Sequence, residues 1–224
     1  PLALPGGDRA AREPWRMAAS VLHALGRADE IEPRLGPVVG EGMAAGVRQM
    51  LDKHLNCPLT SSAGRWFDAA AAALGLCYSQ EDEAQAAIAL EQAAARALLL
   101  QPDLPALSGA VLCSNGIIDL RLLLAQLFDA ADIDAAAAGF HLALADALAS
   151  ALINAAAQRQ TRSAALGGGC FFNRILRERL IQRLSAAGLA VYLPGPQGCG
   201  DAGLAIGQAW VAAQQLAAPA RENV

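Results

Sequence analysis

Three consecutive glycines, Gly167, Gly168 and Gly169, sit in the segment LGGGCFFNRIL. Glycine lacks a Cβ, so such a turn lets backbone N–H groups approach a phosphate closely. The helix predicted to follow would aim the positive end of its dipole at the same point. Asn173, one turn into that helix, would reach a ribose or phosphate oxygen. A tight strand-to-helix turn with no ligand satisfies the same residues. Further on, GCGDAGLAIGQAW places Asp201 at a loop-to-helix junction. There a carboxylate either caps the helix or, as a hard oxygen ligand, holds a divalent ion beside phosphates. Both features are predicted at the carboxyl ends of consecutive strands, where open α/β sheets bind ligands.

A third group lies in SSAGRWFDAAAA. Asp68 falls on the polar face of a mostly apolar helix, with Arg65 one turn before it, a spacing that forms intrahelical ion pairs. Asp68 is otherwise placed to accept a hydrogen bond from a ligand hydroxyl. Glu81 and Glu83 follow Gly75 in the loop that leads to the next helix, where carboxylates either complement the dipole or meet a ligand. His23 and His54 read as ordinary helix or loop residues, and His141, in GFHLALADAL, as a satisfied core histidine. No two histidines have metal-ligand spacing. Lys53 is the sole lysine, and no P-loop motif occurs.

Composition narrows the classes further. Of 224 residues 54% are hydrophobic, which suits a buried globular chain, and the abundant alanine favours helices. A net charge of −4 gives no basic footprint for duplex nucleic acid, and an aromatic share of 4% leaves few platforms for stacking single-stranded bases. Cys57, Cys77, Cys113, Cys170 and Cys199 are an odd, scattered set with no CxxC pair, which fits reduced thiols and a cytoplasmic location. Polar residues interrupt the apolar stretches, so no membrane helix is expected, and no segment reads as a secretory leader. The chain opens in loop-like sequence at Pro1, and we expect it to be a portion of a longer protein.

Several elements must position these residues. A PGG turn at Pro5 leads to a helix over 12–26 with Pro14 in its first turn. Helices are predicted over 38–51, over 63–75 with Thr60, Ser61 or Ser62 as cap, and over 83–100 before Pro102. Asn115-Gly116 signals a hairpin within 110–120, followed by a helix to about residue 130 and a long one over 134–160 with Asp134 as cap. The last third reads as strand 163–166, the glycine turn, helix 172–187, strand 189–193, a Pro/Gly loop over 194–200 and helix 201–216. That order is an α/β arrangement with a parallel strand pair.

Taken together, LPGGDRAAREPWRMA (4–18), PLTSSAGRWFDAAAAALGL (58–76), GGGCFFNRILRERL (167–180) and GDAGLAIGQAWVAA (200–213) resemble the C-terminal domain of the HypF carbamoyltransferases, which help assemble nickel–iron hydrogenases. The stretches run in family order across nearly the whole chain. They are also similar to the TsaD family, which transfers threonylcarbamoyl groups to tRNA. SSAGRWFD, in place of an acidic DDAAGEAFD-type stretch, favours the hydrogenase branch. The resemblance implies a helix-rich α/β fold, the C-terminal lobe of an actin-like, hexokinase-like ATPase, with 1–109 mainly helical and 110–224 the α/β nucleotide-binding lobe.

The same resemblance implies roles. Asp68 matches a nucleotide-contacting aspartate, Glu81 a position near the ribose, and Gly168, Gly169 and Asn173 the phosphate-side loop. Asp201 matches an aspartate that joins two histidines on a divalent metal (iron, zinc or magnesium), those histidines being expected upstream of Pro1. His141 matches a histidine usual in this branch, and it and Arg65 are the expected second layer. Gly167, Asp82 and the stretch Cys199-Gly200-Asp201-Ala202 depart from the family's pattern. The implied full reaction uses carbamoyl phosphate and ATP, passes through carbamoyl-adenylate, and carbamoylates the C-terminal cysteine of a HypE partner for cyanide ligand synthesis. The present chain alone is expected to be inactive. The rival readings are a TsaD-like tRNA-modifying enzyme and a non-catalytic docking fragment.

Overall fold

The computed structural model describes residues 1–195 and 200–217. Residues 196–199, which include Cys199 and the middle of the predicted Pro/Gly loop, lie outside the described residues, as do 218–224.

A two-residue strand β1 (Leu2–Ala3) pairs antiparallel with β2 (Leu59–Thr60), so the N-terminus is tied beside the SSAGRWFD segment. Between them the expected single helix over 12–26 is two. A short α1 (Arg9–Arg12) stops at Glu13, whose extended backbone (φ −122°, ψ 77°) is what a residue before proline adopts, and α2 (Pro14–Ala24) starts with Pro14 in its first turn. The Pro14-Trp15-Arg16 block is structural. Arg16 is buried, pairs with Glu13, donates to the Pro5 carbonyl and stacks 5.0 Å over the Trp15 ring.

The expected helix over 38–51 is α4 (Glu41–Asp52), and an unexpected helix, α3 (Ile31–Val39), precedes it, the two hinged at Gly40 with φ +96°. Two prolines masked α3 in the sequence. Pro33 falls in the first turn, where no N–H partner is needed, and Pro37 costs an interior bond. Ile31 and Leu35 offset that cost by burying against Trp15, Leu22 and Leu51 in a small second core.

α5 (Ala63–Ala73) and α6 (Gln85–Leu100) follow; Ser62 precedes α5 without a side-chain cap bond. The hairpin around Asn115-Gly116 joins β3 (Val111–Leu112) to β4 (Ile118–Asp119), with the Cys113 N–H reaching the Ile117 carbonyl at 2.8 Å. α7 (Arg121–Leu127) then leads to α8 (Ile133–Gln158), capped by Asp132, not Asp134; the Asp132 side chain accepts from the Ala135 N–H at 3.0 Å. Asp134 is engaged elsewhere, in a forked pair with Arg96 of α6.

α8 is the central beam. It is apolar all round, and its first half is buried on every side by α5, α6 and α7 while its second half carries the α/β unit. Among the described residues it is the one helix long and apolar enough to cross a membrane, but 67% of its apolar window is buried inside the protein, as in a core helix. Small side chains let its neighbours approach closely. Ala69 to Ala72 of α5, Ala93, Ala94 and Ala97 of α6, and Ala136 to Ala138 of α8 are all buried. Phe67 and Phe140 fill the centre edge-to-face, 5.6 Å between ring centroids. One main core therefore draws on residues from Leu2 to Leu176.

The final unit is β5 (Ser163–Ala165), a turn, α9 (Arg174–Ala186), and β6 (Ala190–Tyr192), the two strands parallel with Ala164 opposite Val191. Leu180 and Leu184 of α9 and Leu166 seal it against Ala149 of α8. A 3₁₀ turn, Asp201–Gly203, leads into α10 (Leu204–Ala217).

Two glycines distinguish backbone constraint from propensity. Gly109 has φ +95°, and a Cβ there would lie 2.8 Å from the Leu123 nitrogen and 2.9 Å from the Leu122 carbonyl carbon. Gly46, mid-way along α4, is exposed with open space where a Cβ would go. Gly109→Ala should lower unfolding free energy by about 2 kcal/mol or more, whereas Gly46→Ala should raise it by about 0.5–1 kcal/mol. Urea unfolding followed by circular dichroism measures both, and equal effects would contradict the assignment.

Candidate functional site

The glycine turn is built by the end of a strand pair. After β5, the Leu166 N–H still bonds the Tyr192 carbonyl of β6 at 3.0 Å, and the chain then leaves the sheet through Gly167. Gly168 has φ +115°, a conformation that excludes a side chain without strain. A 3₁₀ turn, Gly169–Phe172, follows, and only then does α9 begin. Asn173 is thus not one turn inside the helix but its cap: its Oδ1 accepts from the Leu176 N–H at 2.9 Å.

This moves the source of anion-binding donors. The first N–H of α9, at Arg174, donates to the Glu91 carboxylate of α6 at 2.6 Å, so an internal carboxylate already complements that dipole end. What opens outward is the head of the 3₁₀ turn, whose first N–H groups have no partner within the turn. Nothing in the sequence flagged Glu91 except that it is the only acidic residue in an otherwise Ala- and Leu-rich helix.

Gly168 and Gly169 line a cleft of about 730 Å³ together with Gly200, Asp201, Gly207 and Val211. The wall opposite the turn is the 3₁₀ turn at Asp201 and the first turns of α10. Asp201 is exposed and makes no side-chain cap bond, so its carboxylate remains available to the cleft. The two walls meet where Gly200 passes the Phe172 ring: a Cβ at Gly200 would lie 2.9 Å from the ring edge. A Cβ at the cleft-lining Gly168, Gly169 or Gly207 would instead meet nothing within 4 Å, so packing does not require a glycine at any of the three. The cleft does not by itself suit a metal ion: among the described residues no three His, Cys, Asp or Glu side chains gather at one point, and one carboxylate cannot fix a divalent ion.

Asp68, Glu81 and Asn173 are not among the lining residues of this cleft. Asp68 is 2% exposed on α5, and its Oδ2 lies 2.8 Å from Arg65 Nη1, but the two are misaligned for a hydrogen bond and neither atom has an aligned partner. Burial raises the Asp68 carboxyl to about 6, outweighing the opposing pull of Arg65 and of the Gln80 amide. The charges of the pair are felt in the glycine turn. Cys170, in the 3₁₀ turn itself, is raised first by burial and also feels Arg65 and Asp68, and the buried Cys77 is raised by burial and by Asp68. Glu81 is exposed in the loop before α6; its N–H is held by the Gln85 side chain at 3.0 Å. In that loop Ala84, not Asp82, takes the left-handed conformation (φ +62°). His141 is fully buried, and its Nε2 lies 2.9 Å from Asn173 Nδ2.

A family model described as "Carbamoyltransferase, Kae1-like Domain, second subdomain" matches residues 1–208. The crystal structure of full-length HypF in the phosphate- and nucleotide-bound form superposes with a TM-score of 0.82 at 25% identity, over 98% of this chain and 29% of that one. The crystal structure of T. kodakarensis HypF gives 0.79 at 24% identity, over 96% and 29%. The helix-rich α/β architecture is that of a Kae1-like carbamoyltransferase domain.

Within that class, the chain is 54% identical over 220 residues to the carbamoyltransferase HypF homolog of Cupriavidus necator, and 40% identical over 224 residues to the carbamoyltransferase HypF of Rhizobium leguminosarum bv. viciae. The chain belongs to the HypF carbamoyltransferase family. It spans 56% of the first relative's length and 27% of the second's. A tRNA N6-adenosine threonylcarbamoyltransferase of Desulforapulum autotrophicum is 42% identical over 65 residues, 29% of this chain.

The buried Asp68 carboxyl gives the fold a pH signature. Its proton is held more tightly in the folded protein (about 6) than at the ordinary value of 3.8. The associated stability is therefore complete below about pH 4 and is lost as pH rises through about 6, by about 3 kcal/mol at most. Asp68→Asn should flatten this decline. Urea midpoints taken in half-unit steps between those limits measure it; an undiminished slope in the variant assigns the proton elsewhere.

Proposed function

We propose that the chain is the nucleotide-holding C-terminal portion of an ATP-using carbamoyltransferase that acts in nickel–iron hydrogenase maturation. One observation carries this reading: the Gly168 and Gly169 backbone and the Asp201 carboxylate open onto one cleft beside the carboxyl ends of the parallel strands β5 and β6. Family membership supports the transfer chemistry.

In this reading the Gly168 and Gly169 N–H groups take phosphate oxygens of ATP or carbamoyl-adenylate. Asp201 supplies one ligand to a divalent ion, iron, zinc or magnesium, whose remaining ligands come from outside these residues. Bound there, the ion would offset phosphate charge. Asp68 and Arg65 act on the turn through their charges, and Glu81 serves the nucleoside side from its exposed loop. The complete protein would use carbamoyl phosphate and ATP to form carbamoyl-adenylate and would pass the carbamoyl group to the C-terminal cysteine of a HypE-like partner in the cytoplasm. These 224 residues alone should transfer nothing.

The tRNA-directed reading rests on a shorter likeness, 29% of the chain against 96% for the HypF relatives. Restoring hydrogenase activity or tRNA modification in the respective deletion strains with the parent protein separates the two.

The direct test is calorimetry of the chain with ATP. Binding should be measurable, and Gly168→Val should weaken it at least tenfold without changing the helical content, because the side chain fills the cradle and cannot adopt φ +115° without strain. No heat with ATP, alongside measurable binding to a HypE-like protein, would favour a docking role. Carbamoyl transfer by the purified chain alone would overturn the division of labour proposed here.

A further inference from the structure

His141 is the one titratable residue in the run 135–145 of α8, which is otherwise alanine, glycine, leucine and phenylalanine. Its hydrogen bonds determine its chemistry completely. Nδ1 lies 2.7 Å from the Ala137 carbonyl. A carbonyl only accepts, so Nδ1 carries the proton and Nε2 of the neutral ring is an acceptor. Nε2 lies 2.9 Å from Asn173 Nδ2, which donates. The other end of the same amide, Oδ1, accepts from the Leu176 N–H.

The two assignments enforce each other. Turning the Asn173 amide over would set its NH₂ against the Leu176 N–H and its oxygen against the Nε2 lone pair, losing both bonds. Protonating Nε2 would set two donors face to face. Burial holds His141 down to about 4 against the favourable Ala137 contact, so the neutral ring persists. The rings of Phe67 and Phe140 flank it at 5.4 and 5.9 Å and fix its plane.

Asn173 is where the glycine segment ends. Its own N–H closes the 3₁₀ turn onto the Cys170 carbonyl at 3.2 Å, and Arg177 of α9 ties the Phe171 carbonyl at 3.2 Å. The turn thus hangs between β5 on one side and, on the other, the oriented Asn173 amide together with the Arg177 tie. We propose that His141 is a positioning residue for the cleft: through Nε2 it orients the Asn173 amide, and that amide fixes where the Gly168 and Gly169 N–H groups point. The consequence for ligand binding rests on the nucleotide reading above; the positional claim does not.

The test uses the 224-residue chain. Long-range ¹H–¹⁵N spectra should show His141 protonated at Nδ1 and bare at Nε2. His141→Phe keeps the ring volume beside Phe67 and Phe140 but offers no acceptor. It should shift the Gly168, Gly169 and Cys170 amide resonances and weaken ATP binding about tenfold. Asn173→Ser retains a cap oxygen for Leu176 but drops the donor to His141, and should move the same three amides, so the claim remains readable should His141→Phe fold poorly. His141→Gln, which restores a side-chain acceptor, should recover most of the lost affinity. A proton on Nε2, or unchanged glycine resonances in both His141→Phe and Asn173→Ser, overturns the proposal. Should the unmutated chain bind no ATP while the glycine amides still respond, the nucleotide reading fails and the positional link stands.

Discussion

Close approach of helices through small side chains is the constraint on which this protein is built. α8 can be surrounded by α5, α6 and α7 because runs such as Ala69 to Ala72 and Ala136 to Ala138 keep the interfaces narrow. Dispersion and burial across such interfaces are individually modest and add up along the helices. Interfaces of this kind tolerate little intrusion. A Cβ at Gly139 would sit 2.6 Å from Leu107 Cγ, so even one methyl forces the loop before β3 to move. Larger aromatic groups are confined to a few places, and two of them, Phe67 and Phe140, flank the histidine that reaches the glycine turn.

Much of this was legible in the residues. The parallel β5–β6 pair, the hairpin at Asn115-Gly116, the long α8 and the position of the glycine turn all follow from turn chemistry and apolar patterning. What was not legible has physical causes. The prolines in α3 fall where one turn tolerates them and where burial of Ile31 and Leu35 offsets the other, a trade settled by Trp15 and Leu51, which are distant in sequence. The caps of α8 and α9 were each displaced. Asp132 and Asp134 offer the same carboxylate two residues apart, and only the presence of Arg96 on α6 decides which is left to cap. Around the glycines, a strand-to-helix pattern conceals the intervening 3₁₀ turn, because a four-residue tight turn has no periodicity of its own.

The cleft was similarly half visible. Gly168, Gly169 and Asp201 read from the sequence as residue types suited to phosphate and cation, and they line one cavity. Asp68 reads from the sequence as a helix-face carboxylate, but its spacing from Arg65 does not reveal that Cys170 shares their field. Glu91 carries no local signal because its partner, the Arg174 N–H, is brought near only by the packing of α6 and α9 onto α8. Long-range polar contacts of this kind carry no local signature, and they supply most of what orients the site.

The three tryptophans divide along the same architecture. Trp15 and Trp66 are buried at 3% and 8% exposure, whereas Trp210, on the helix that forms the far wall of the cleft, is 66% exposed. Buried and exposed indoles differ in emission colour and in access to dissolved quenchers. The protein therefore carries a built-in optical probe on the Asp201 side, one whose long-wavelength component can be followed without labels while the interior pair provides an internal reference.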